Sequence, residues 1–199
     1  MQTMRRAAVV LIGLVGIAAL LVGTARPGGA QSPPPSSTAT VAPTPAQSAD
    51  AFRRLATVLQ HPRCANCHSG EGWPRQGDEG RRHDFRVVRG PDDKGAPGAR
   101  CRGCHASVNA GGDAVPGAHD WHVAPLSMTW DGLSSGQLCR RLLDRSANGN
   151  RDANALVRHM TDDPLVTWAW TPGKARAAPP VPRDEFLGLL ATWVAGGAA

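Results

Sequence analysis

The chain has 199 residues and a formal charge of +6, with 22 Lys and Arg against 16 Asp and Glu. Residues 1–30 carry Arg5, Arg6 and Arg26 and no acid, so the remainder holds +3, all of it on the segment from Arg75 to Arg102. An exported chain is not expected to meet nucleic acid despite this charge, and three Phe, six Trp and no Tyr are few large aromatics for the core of one domain.

The predicted elements begin with a leader. Arg5 and Arg6 precede an apolar run from Ala7 to Val22, and Gly28-Gly29-Ala30 offers small residues before a cut. That is the layout of a secretory signal peptide over 1–30. Extended to Ala25 the run reaches nineteen residues, so an uncleaved segment is long enough to serve as a membrane anchor. Residues 31–48 are Pro, Ser, Thr and Ala with almost no bulk, a composition that reads as a disordered tether. The folded part is then 49–199. A helix from Ala49 to Gln60 places Phe52, Leu55, Ala56 and Leu59 on one face.

Next come Cys64-Ala65-Asn66-Cys67-His68 and Cys101-Arg102-Gly103-Cys104-His105. Both are C-x-x-C-H runs, the attachment signature of c-type haem. Two cysteines at this spacing form thioethers to one porphyrin, and the adjoining His ligates the iron. Chance placement of five Cys and seven His gives two such runs with a probability of about 10⁻⁵. A zinc ribbon or a disulfide framework uses similar Cys pairs, but neither asks for a trailing His after each pair. Two covalent haems c would supply much of the core that the aromatics do not, and the haem-free polypeptide should fold poorly. Export suits this chemistry and places the protein in the periplasm, soluble or held by its N-terminal segment.

From Gly70 to Gly117 no periodicity is visible, and a haem can replace secondary structure as the packing partner there. Ser134 or Ser135 caps a helix with Leu138, Cys139, Leu142 and Leu143 that closes near Asn148-Gly149. Asp152 caps another through Leu156 and His159, and a last one runs from Asp184 to Ala195 with Phe186, Leu187, Leu190 and Val194 inward. The expected class is mainly α with extensive irregular loops, a compact dihaem cytochrome c-like domain.

His68 and His105 are the expected proximal ligands. Distal candidates are His83, able to reach either iron from the connecting loop, His159 on a core-facing helix stripe, and Met128 after a Pro-containing loop. His119 and His122 flank Trp121, and Met160 offers a further sulfur. His61 lies too close to its own motif. Cys139 reads as a buried structural thiol, and Trp168 and Trp170 as packing on a haem face or the core. The arginines of 75–102 either pair with propionates and neighbouring acids or form a basic rim that steers an acidic redox partner. No Ser/His/Asp set or paired catalytic carboxylates stand out.

From His61 onward the chain resembles a family of small two-haem proteins called isoquinoline 1-oxidoreductase subunit or c-type cytochrome. The resemblance rests on His61 to His68, Gln76-Gly77-Asp78 with His83, Val88 to Asp92, and Arg100 to His105. It continues through Ala124-Pro125 with Met128 and Trp130, Gln137-Leu138-Cys139, Asn148 to Arg151, His159, and Asp163 to Gly173. It covers about residues 50–199 and implies an electron carrier, not an enzyme. The carrier would serve a redox protein, a molybdenum hydroxylase acting on N-heterocycles or a respiratory-chain component. His83, Met128 and His159 fall on positions of the family pattern. The alternative is a small haem enzyme of peroxidase type with one open distal site, for which 37 residues between motifs leave little room. A haem-based sensor is a further alternative, without an output domain in this chain.

Overall fold

The computed structural model describes residues 41–199. The expected leader, 1–30, and most of the expected tether lie outside the described residues. Six helices, α1 (Pro45–Leu59), α2 (Pro62–Ala65), α3 (Ser135–Leu143), α4 (Ala153–Asp162), α5 (Pro164–Trp168) and α6 (Arg183–Ala195), form a compact, mainly helical fold. The only strands among these residues are four pieces of two residues each. They pair antiparallel as β1 (Arg75–Gln76) with β2 (Arg81–Arg82), and β3 (Gly95–Ala96) with β4 (Ala99–Arg100).

Helix α1 starts four residues before the expected Ala49. Thr44 and Gln47 close a reciprocal capping box and Pro45 takes the first helical position, so the end of the Pro/Ser/Thr/Ala segment is structured. Ser48, expected in the tether, is fully buried; its hydroxyl donates to the Trp193 carbonyl at 2.7 Å and accepts from Ala199 N at 3.0 Å. This couples α1 to α6, with Phe52 against Trp193 at a ring separation of 5.1 Å. Phe52, Leu55, Ala56 and Leu59 are all buried as periodicity predicts, and Leu138, Leu142, Leu156, Met160, Phe186 and Leu190 join them in one core.

The C-terminal helices are capped where the side chains foretell, by Ser134 on α3 and Asp152 on α4. Helix α3 nevertheless ends at Leu143 and does not run to Asn148. Asp144 turns its carboxylate to Ser146 N and Oγ, at 3.0 and 2.6 Å, offering the backbone an alternative to the helix. In α6 Phe186 and Leu190 are buried as expected, but the third buried residue is Trp193, whereas Leu187 and Val194 are half-buried.

The stretch from Gly70 to Gly117 is irregular, as expected, yet it is tied down by a buried cation. Arg89, 5% exposed, donates to the carbonyls of Ser69 at 2.9 Å and Ala124, and to Asp93 at 2.8 Å. The turn into the second C-x-x-C-H run needs glycine: Gly90 has φ 73°, and a Cβ there would lie 2.4 Å from the Gly95 carbonyl oxygen. No described helix is long and apolar enough to cross a membrane.

Candidate functional site

The first C-x-x-C-H run begins on α2, where His61 caps the helix and its Nδ1 accepts from Arg63 N at 3.3 Å. An accepting Nδ1 leaves the proton on Nε2, so His61 has the wrong tautomer for ligation through that nitrogen. His68 has the opposite arrangement. Its Nδ1 lies 2.8 Å from the Met128 carbonyl, a partner that can only accept, so Nδ1 carries the proton and Nε2 the free lone pair. Trp130 stacks on the ring at 3.4 Å and 9°, and Trp130 N donates to the His68 carbonyl at 2.9 Å. Burial lowers the His68 pKa to about 3, keeping the imidazole neutral, the form that ligates a metal.

Cys64, Cys67 and His68 line a partly open cleft of about 170 Å³. Leu142, Leu156, Val166, Trp170 and Phe186 supply apolar walls, and Met128, His159, Met160 and His122 line it too. The mix of apolar walls with few polar groups suits a cofactor. Burial pushes the Cys64 and Cys67 thiols up to about 12 and 11, with the neighbouring Cys101 adding to the shift of Cys67. A thiolate is costly there, whereas a thioether bears no charge and is not penalised. No set of three or more His, Cys, Asp or Glu among the described residues is placed to hold a metal ion. Two cleft residues carry buried donors without a protein partner, Arg63 Nε and Trp130 Nε1. Arg63 is otherwise committed to Gly77 O at 2.8 Å and Asp78 at 2.6 Å. A ligand with apolar faces and carboxylate arms satisfies such a lining.

The second run sits differently. Cys101 to Gly103 form a short 3₁₀ turn, Cys101 is half-buried and Cys104 is exposed. His105 nevertheless repeats the geometry of His68: its Nδ1 lies 2.7 Å from the Pro116 carbonyl, and Trp121 stacks on it at 4.6 Å and 6°. Burial again lowers its pKa. Trp168 meets Trp121 edge-on at 4.9 Å and is held by Asn109 at 2.8 Å. Trp170, its near neighbour in sequence, packs on Phe186 at 4.9 Å in the first cleft. The two tryptophans therefore serve different sites.

The distal candidates are distributed. His83 stands beside His105, with ring centroids 5.9 Å apart and planes at 74°, and its own Nδ1 is 2.7 Å from the Asp84 carbonyl. His159 borders the first cleft, Nδ1 3.2 Å from an Asp163 carboxylate oxygen. Met128 is buried, its backbone tied to the His68 ring and its residue part of the same cleft. His119 is exposed in a shallow groove beside Trp168, apart from both cysteine pairs. Cys139 is a buried thiol that donates to the Ala198 carbonyl at 3.7 Å, as expected of a structural residue.

Most of the cations from Arg75 to Arg102 are neutralised by protein acids. Arg75 pairs with Glu71 and Asp131, Arg81 with Asp84, Arg89 with Asp93, Lys94 with Asp120 and Arg100 with Asp92. Arg82, Arg86 and Arg102 have no carboxylate in reach among the described residues, and all three are exposed beside His83 or inside the second motif. Phe85, between them in sequence, is 93% exposed at φ 56°.

In the sequence, Trp130, Arg63 and Arg89 stand out only as positions of the resemblance, and Trp121 only as the residue between His119 and His122; none of them carries an expected role there. The carbonyls that set the His tautomers belong to the backbone and leave no mark on the sequence. Comparison with protein-family models, curated proteins and solved structures gives no match for the chain.

Proposed function

We propose that the chain is a periplasmic dihaem c-type cytochrome that carries single electrons between a dehydrogenase or hydroxylase and a respiratory chain. Cys64, Cys67 and His68 would hold one haem, and Cys101, Cys104 and His105 the other. One observation carries this reading: the His ending each C-x-x-C-H run donates Nδ1–H to a backbone carbonyl and keeps a free Nε2. When bound, each haem supplies the reversible one-electron couple of its iron.

The chain's own residues hold, orient and insulate. The stacked Trp130 and Trp121 keep the two imidazoles from rotating, and the carbonyls of Met128 and Pro116 raise their basicity. Apolar side chains around Cys64 and Cys67 exclude water on one side, while the exposed Cys104 leaves the second site open to a partner. The two motifs adjoin closely enough for Cys101 to influence Cys67, which favours transfer within one domain. Arg82, Arg86 and Arg102 give the open site a positive rim suited to an acidic redox protein. Membership of the isoquinoline 1-oxidoreductase subunit family belongs to this proposal and makes a molybdenum hydroxylase the first partner to test.

The experiment is production in a host that matures c-type cytochromes, followed by intact mass and an absorption spectrum. Two covalent haems, both low-spin and six-coordinate, are expected. A stable high-spin haem that binds peroxide would instead select the small peroxidase-type enzyme.

A further inference from the structure

We infer that His83 and His105 are the two axial ligands of one haem, held with their ring planes near perpendicular, and that the first haem takes its second ligand from the cleft. The inference rests on the dihaem reading and assigns what that reading leaves open. Geometry carries it. A metal–nitrogen bond is about 2 Å, and a five-membered ring with bonds near 1.33 Å puts each nitrogen roughly 1.1 Å from the centroid. Two imidazoles on opposite sides of one metal thus have centroids about 6.2 Å apart by the same lengths. The His83 and His105 centroids are 5.9 Å apart, and the His68 ring has Trp130 and not a second imidazole as its aromatic neighbour.

Hydrogen bonding gives an independent match. Both rings have Nδ1 against a backbone carbonyl, Asp84 for His83 and Pro116 for His105, so both have Nε2 free. The local chain is also shaped for this placement. Phe85 and Arg86 follow His83 at φ 56° and 50°, a conformation that non-glycine residues seldom adopt, and the turn directs the Asp84 carbonyl to the His83 ring. On the other side, Trp121 stacks flat on His105 and Trp168 abuts Trp121, which fixes the plane of the His105 ring. The 74° between the two imidazoles is therefore set by groups outside the pair. His159, Met128, Met160 and His122 all border the first cleft with His68, so no first-site candidate is lost by the assignment.

The test is low-temperature electron paramagnetic resonance on the full-length ferric protein, with covalent haems counted by mass on the same sample. Perpendicular imidazoles are expected to give one strongly anisotropic low-spin signal at low field; parallel rings give a three-line rhombic signal. His83→Ala should keep two covalent haems, lose the anisotropic signal and gain a high-spin one of equal intensity. His83→Met, which retains a ligand and guards against a folding defect, should introduce a near-infrared His/Met band and raise the potential of that haem. Two covalent haems with an unchanged low-field signal in both variants would overturn the ligand assignment and leave the dihaem reading intact. A wild-type protein without covalent haem would overturn both.

Discussion

Arg89→Ala tests how the irregular half of the molecule is held together. The guanidinium joins three segments: the residue after His68, through Ser69 O, the connecting loop, through Asp93, and the cleft wall, through Ala124 O. Truncation leaves two carbonyls without a charged donor, at about 1–1.5 kcal/mol each, and a partly exposed ion pair worth less than about 1 kcal/mol. The total is about 3 kcal/mol. For a domain of this size that corresponds to a fall in Tm of roughly 6–12 °C. Thermal unfolding of the haem-loaded protein, followed by far-ultraviolet circular dichroism and by haem absorption, reads it out. Arg89→Lys should recover only part of the loss, because an ammonium cannot reproduce the planar fork. A shift below about 2 °C for the alanine variant would show that the loops are held by haem contacts alone and refute the reasoning.

Ser48→Ala removes a buried hydroxyl that both donates to Trp193 O and accepts from Ala199 N, and should cost about 1–3 kcal/mol in urea unfolding; a neutral effect would place the start of the domain after Ser48. Asp92 has its pKa lowered to about 2 from 3.8, chiefly by its hydrogen bond to Arg100. A depressed carboxylate stabilises the fold above its unfolded pKa and loses that contribution as pH falls through the folded value. Asp92→Asn should accordingly lower stability by a constant amount above about pH 5, with no change of slope there, and flatten the profile between about pH 4 and pH 2; an altered slope near neutrality would contradict this. Replacing Arg82, Arg86 and Arg102 with Gln should slow association with an acidic redox partner in stopped-flow mixing and reduce its salt dependence; equal slopes would mean that these charges do not steer docking.

Where side-chain chemistry acts locally, the sequence was a good guide. Asp152 and Ser134 cap α4 and α3, and the stripe of Phe52, Leu55, Ala56 and Leu59 is buried on α1. Local competition misled it at Asp144, whose carboxylate stops a helix that the apolar pattern would continue. Composition misled it at Ser48, because a Pro/Ser/Thr/Ala segment looks solvated until a capping box and a distant tryptophan carbonyl are in place. Of the candidate sites, the six residues of the C-x-x-C-H runs are visible in the sequence. Their settings are not, since a buried cleft at Cys64 and an open surface at Cys104 are products of tertiary packing. The pairing of His83 with His105, 22 positions apart, depends on a strained turn that nothing in Arg81-Arg82-His83-Asp84-Phe85 announces.

The intact mass of the purified protein under denaturing conditions, with Cys64 and Cys67 or Cys101 and Cys104 replaced by Ala in turn, tests the central claim most directly. The account predicts the polypeptide plus two haems for the native chain and plus one haem for each double variant. A native chain that carries no haem through denaturation, or a double variant that keeps both, would contradict it.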